Sequence, residues 1–159
     1  MMDVFNVLNV HIKSVINILL INNKMKRGNK TMMKQQEQVK EFQIAFNHPV
    51  ATKPTFLPKD RAESRMNWVK EEVDEFLESD NVIDQADALV DCLYFILGTA
   101  IEIGVDLEPV FDIVQNANMA KLWPDGKPHY RESDGKVAKP DGWQAPEPQI
   151  EAEIKRQMI

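Results

Sequence analysis

Residues 82–103 read VIDQADALVDCLYFILGTAIEI. Wound at 3.6 residues per turn, Ala86, Leu89, Val90, Leu93, Phe95, Ile96 and Leu97 cover nearly all sides, which predicts a helix buried on most of its faces. Asp84, Asp87 and Asp91 interrupt that surface at spacings of three and four, and so form one stripe. Acids on a buried helix are costly unless paired or bound to metal. A partner lies just upstream, where residues 71–75 read EEVDE. Glu71 and Glu75 are four apart and Glu72 and Glu75 three apart, so these carboxylates share one edge of the preceding helix. From Asp60 to Asp91 there are eleven acids and three bases (Arg61, Arg65, Lys70), a local balance of −8. Two such stripes facing each other call for a cation between them, and oxygen-only ligands favour a hard ion, Mg²⁺ or else Mn²⁺. The candidate ligands are Glu71, Glu72, Glu75, Asp87 and Asp91, with Asp84 a weaker candidate. A lone EExxE is more often a solvated helix face; the aspartates on an apolar partner helix are what argue for a site. A di-iron centre would need Glu-x-x-His, and neither His11, His48 nor His129 follows a glutamate at that spacing.

The surrounding chain reads as helices too. Val39, Phe42 and Phe46 recur at helical spacing, giving a first helix over residues 34–46. Pro49, Pro54 and Pro58 make residues 47–58 a connection. The second helix covers residues 60–78, with Asp60 as its expected cap and Met66, Val69, Val73, Phe76 and Leu77 as its apolar stripe. After the turn Ser79-Asp80-Asn81 comes the helix of residues 82–103, which Gly104 can end in the left-handed conformation. Asp106 can cap a fourth helix running to Leu122. No segment alternates over strand length. The expected fold is all-α, a four-helix bundle over residues 32–122, followed by a Pro/Gly-rich C-terminal flap and short helix over residues 123–159, the helix from Glu147 to Met158. In the flap, Trp123, Tyr130 and Trp143 alternate with Lys127, Arg131, Lys136 and Lys139. These could hold a base and phosphates, or the tryptophans could simply pack the flap down.

Residues 1–31 are unlike the rest: one acid and five bases, against a balance of −10 over residues 32–159. They read as translated AT-rich DNA ahead of a start at Met32-Met33, or as a weak signal peptide, and are expected to lie outside the fold. Their apolar stretch, residues 15–21, is shorter than the roughly 20 residues a membrane span needs. The net charge of −6 disfavours non-specific nucleic-acid binding. The single Cys92 excludes an internal disulfide. Neither a membrane nor a nucleic-acid partner is expected, and a cytoplasmic location is. The nearly all-apolar third helix asks for more burial than one small bundle provides, so a homodimer or homotetramer is expected.

The EExxE element resembles the all-α nucleoside triphosphate pyrophosphohydrolases, which include MazG-like enzymes, dimeric dUTPases and phosphoribosyl-ATP pyrophosphohydrolase. The flanking Arg65-Met66-Asn67-Trp68-Val69-Lys70 is similar as well, and so are Asn118-Met119-Ala120-Lys121, Asp125-Gly126-Lys127-Pro128 and Tyr130-Arg131. The family's second element, ExxD, fits in two registers. Aligned on Asp87, Asp84 replaces the glutamate; aligned on Asp91, Ala88 does, and Cys92-Leu93-Tyr94 matches better. The resemblance implies a MazG-like bundle that hydrolyses a nucleoside triphosphate, with Mg²⁺, to the monophosphate and pyrophosphate. It implies Glu72 as general base, Asn118 and Lys121 as phosphate contacts, and Lys127 or Arg131 as a clamp. A non-catalytic helical module that binds a nucleotide or protein is the alternative. Thermal melting with Mg²⁺ and nucleotide separates the two, since a specific ligand must stabilise the folded state.

Overall fold

The computed structural model describes residues 31–159. The expectation for residues 1–31 therefore falls, but for Thr31, outside the described residues. Five helices follow in order: α1 Thr31–Ala45, α2 Lys59–Glu78, α3 Val82–Glu102, α4 Leu107–Met119 and α5 Glu147–Gln157. Among the described residues there is no strand, only an isolated antiparallel bridge between Tyr130 and Val137. The described residues are all-helical, as their periodicity predicts.

Local chemistry sets the helix ends. α1 stops earlier than the hydrophobic spacing suggests because Asn47 takes a positive φ of 57°. His48 N–H then donates to the Gln43 carbonyl at 2.8 Å and Asn47 N–H to the Ile44 carbonyl at 3.2 Å. That pair of bonds is the Schellman closure of a helix. Asp60 is not the cap of α2. Ala62 N–H already donates to the Pro58 carbonyl at 2.9 Å, so the helix begins at the proline and Asp60 lies in its first turn. Asn81 caps α3, its Oδ1 accepting from the backbone of Ile83 and Asp84 at 3.0 Å each. Gly104 follows α3 with φ 68°. Asp106 caps α4 as expected, but α4 ends at Met119, short of Leu122.

α2 and α3 form an antiparallel hairpin across Ser79-Asp80-Asn81 and make the most extensive helix pairing among the described residues. α1 packs on α3 through Val39, which shares a small core with Leu97 and Ile101; Val50, Tyr94 and Leu107 close around it. The segment after α1 lies along the end of α3, with Ala51 N–H bonded to the Ile101 carbonyl and Thr55 N–H to the Ile103 carbonyl. α4 packs on α5.

The expectation of a third helix buried on most of its faces is corrected. Val82, Ile83, Leu89, Val90, Leu93 and Ile96 are exposed on the single chain. Val82, Ala86, Leu89, Leu93 and Ile96 recur at spacings of four, three, four and three, so much of that exposure is one continuous apolar seam. The single chain leaves that seam uncovered.

Candidate functional site

The hairpin registers the two carboxylate stripes against each other. Cys92 Sγ lies 3.8 Å from the Val69 carbonyl, and one turn further from that contact Glu72 on α2 meets the aspartates of α3. Glu72 is half-buried, as is Asp91, whereas Glu71, Glu75 and Asp87 are exposed. Burial pushes the Glu72 carboxyl above the usual glutamate range, and the negative charges of Glu75, Asp91, Glu71 and Asp87 push it further in the same direction. These are the residues that the spacing brought together on paper, and the fold brings them into one electrostatic neighbourhood. None of the five forms an ion pair with a base among the described residues.

Asp84 is differently employed. Its Oδ2 accepts from Asn81 Nδ2 at 2.7 Å, within the α3 cap. Further along the seam, Glu75, Glu78, Asp84 and Asp87 line an open groove of about 320 Å³. Among the described residues no three His, Cys, Asp or Glu side chains converge tightly enough to enclose a metal as they stand. The donor set nevertheless suits a hard divalent ion: it is all oxygen, it lacks a neutralising base, and it holds one carboxylate that resists ionising beside its neighbours.

The basic candidates form a separate group. Lys121 Nζ donates to Asn118 Oδ1 at 2.7 Å. Arg131 is engaged by Asp134 through two bonds of 3.1 and 2.5 Å. Lys127 contributes its backbone N–H to Asp125 at 2.9 Å. No hydrogen bond or ion pair joins these residues to the α2–α3 carboxylates among the described residues. The tryptophans of the flap anchor it: Trp143 Nε1 donates to the Ala117 carbonyl on α4 at 2.8 Å, and Trp123 Nε1 to the Ala138 carbonyl at 3.3 Å while its ring stacks on His129. Lys139 Nζ sits 3.8 Å from the centre of the Trp143 ring.

Sequence reading missed a buried ion cluster about three turns along the hairpin from the carboxylates. Glu102, with a side chain 1% exposed, accepts from Arg61 Nε at 2.8 Å and Nη2 at 2.6 Å, with Arg65 Nη1 3.4 Å away. Arg65 also donates to Thr99 Oγ1 at 3.0 Å and the Phe95 carbonyl at 2.6 Å. Its guanidinium lies over Trp68 and Phe95. The signal available was Glu102 itself, an acid ending the apolar C-terminal half of α3, with two arginines at i, i+4 on the neighbour.

Comparison with known proteins matches residues 39–118 to the family model for phosphoribosyl-ATP pyrophosphohydrolase. That span contains both carboxylate stripes and the ion cluster. A solved structure of a "putative NTP pyrophosphohydrolase" from Exiguobacterium sp. 255-15 is 41% identical, covering 78% of this chain and 95% of that one, with a TM-score of 0.46. No curated protein matches.

Proposed function

Because the chain belongs to the phosphoribosyl-ATP pyrophosphohydrolase family, we propose that it is a divalent-metal-dependent hydrolase that cleaves a nucleoside triphosphate between the α and β phosphates. The products are the nucleoside monophosphate and pyrophosphate. The observation that carries this reading is Glu72: a half-buried carboxylate with Glu71 and Glu75 on its own helix and Asp87 and Asp91 on the next, none of the five paired with a base among the described residues.

Glu71, Glu72, Glu75, Asp87 and Asp91 would hold Mg²⁺, or Mn²⁺ in its place. When bound, the ion supplies charge neutralisation for the polyphosphate and acidifies water. Glu72 takes the proton of the attacking water, a task open to a carboxylate that is not fully used in coordination. Asn118 and Lys121 contact phosphate oxygens, their side chains already joined at the end of α4. Lys127 and Arg131 approach from the flap, Arg131 on release from Asp134. The exposed seam of α3 supports assembly as a homodimer or homotetramer, in which a second copy covers Leu89, Leu93 and Ile96.

The test is a panel of canonical and modified nucleoside triphosphates assayed for pyrophosphate release with Mg²⁺, with Mn²⁺ and with chelator. Release should require metal. Glu75→Gln should abolish it and leave the helical circular dichroism unchanged. Full activity in that variant, or activity indifferent to chelator, overturns the metal assignment; no pyrophosphate from any triphosphate overturns the reaction.

A further inference from the structure

The cations at the end of α4 and in the flap are not equally engaged. Arg131 and Lys136 both lie against Asp134, the first through two bonds and the second at 3.9 Å. Lys121 and Lys139 form no ion pair among the described residues. Lys121 is half-buried, and the acceptor it bonds, Asn118 Oδ1 at 2.7 Å, is neutral.

These two lysines converge on one ring. Lys139 Nζ lies 3.8 Å from the centre of the Trp143 ring and Lys121 Nζ 5.9 Å from it. The ring is fixed from two directions. Its Nε1 donates to the carbonyl of Ala117, on the helix that leads into Lys121, at 2.8 Å. Trp143 N–H closes a turn on the Pro140 carbonyl at 3.1 Å, next to Lys139, and Gly142 permits that turn with a φ of 79°. The flap therefore carries Lys139 back to the end of α4. The negative face of an indole attracts an ammonium. Two ammoniums on one ring, however, lie at most about 10 Å apart, the Debye length at 0.1 M salt, and repel each other. Asp141, on the same turn, pairs with neither. An anion that bonds both lysines removes the repulsion and gains charge-assisted hydrogen bonds. A polyphosphate, with oxygens spread along a chain, can reach two such donors at once.

We propose that Lys139 is a phosphate-binding residue, seated with Lys121 on Trp143 as a two-cation site for the polyphosphate of the substrate, with Trp143 as the positioning residue of the pair. The proposal rests on the pyrophosphohydrolase reading for the identity of that anion. It gives Lys121 a partner that is already free, whereas Arg131 must first leave Asp134. The site takes phosphate oxygens through ammonium groups, so it binds inorganic pyrophosphate without metal.

The experiment uses the full chain. Calorimetry with inorganic pyrophosphate in chelator reads the site without hydrolysis. The indole N–H signal of Trp143 in NMR, identified by its loss in Trp143→Phe, reports where the anion sits, and pyrophosphate should move it. Lys139→Gln should weaken pyrophosphate binding roughly tenfold or more. With a hydrolysed triphosphate and Mg²⁺ it should raise KM by a similar factor and leave kcat nearly unchanged, because the lost contact serves ground and transition states alike. Lys139→Arg should recover both values. Lys155→Gln, which removes a positive charge from α5, should alter neither; an equal loss there reduces the effect to net charge and overturns the site. Hydrolysis with an unaltered KM in Lys139→Gln also overturns the site and leaves the reaction standing. Pyrophosphate binding that depends on Lys139, with no hydrolysis of any triphosphate, overturns the reaction and leaves the two-cation site. Neither binding nor hydrolysis overturns both.

Discussion

Two acids of nearly opposite circumstance sit within this hairpin. Glu72 faces other acids, and its raised pKa means that the folded chain favours its protonated form. Its contribution to stability is complete below the ordinary glutamate value and is lost as pH rises through the higher folded value. Carboxyl-resolved NMR on the metal-free protein should place the Glu72 titration above that of an ordinary glutamate, and saturating Mg²⁺ should shift it down. A titration at the ordinary value without metal would remove the electrostatic case for the site. Glu102 faces bases and is fully enclosed. Glu102→Ala would leave Arg65 buried without its counter-charge, which costs about 3–5 kcal/mol, measurable by urea unfolding. The first acid was legible in the sequence because a stripe of like charges at helical spacing is a local pattern. The second was not, since its partners Arg61 and Arg65 lie some forty residues away and their pairing is decided by the register of the hairpin.

Helices were legible as elements wherever their apolar period was long, and poorly legible where hydrogen bonding at the ends outweighs that period. α1 ends on the left-handed Asn47, α2 starts on a proline carbonyl, and α4 yields to a tight turn in which Lys121 N–H donates to the Asn118 carbonyl at 3.1 Å. α5 shows how a terminal helix is held by a few polar bonds. Gln157 Oε1 accepts from Asp106 N–H at 2.9 Å and its Nε2 donates to the Asp106 carbonyl at 3.0 Å. Glu153, bonded to Arg156 and then to Gln157, has its carboxyl held down to about 2. A depressed acid stabilises the fold above its unfolded value and loses that contribution as pH falls through the folded one. The amides of α5 should therefore gain hydrogen–deuterium exchange between about pH 4.5 and about 2 before those of α3 do. Simultaneous loss of protection in both helices would show that these bonds do not govern the docking of α5.

For the molecule as a whole, the composition of α3 was legible but its surroundings were not. A helix apolar on most of its faces calls for cover on those faces, without saying by what. Within this chain α1 and α2 cover part of it, and the seam through Leu89, Leu93 and Ile96 stays open. Leu93→Glu places a charge in the middle of that seam. Light scattering behind size exclusion should show the unaltered chain at the mass of the proposed dimer or tetramer and the variant at that of a single chain; one mass for both would remove the seam as an interface. Gly98, finally, bears on how such a protein can change over generations. A Cβ there would fall 2.9 Å from Gln43 Oε1 of α1 and closer still to the Arg65 guanidinium of α2, so any larger residue must displace the ends of both side chains. Position 98 should stay fixed while its neighbours drift, and a saturation library should recover glycine there almost alone.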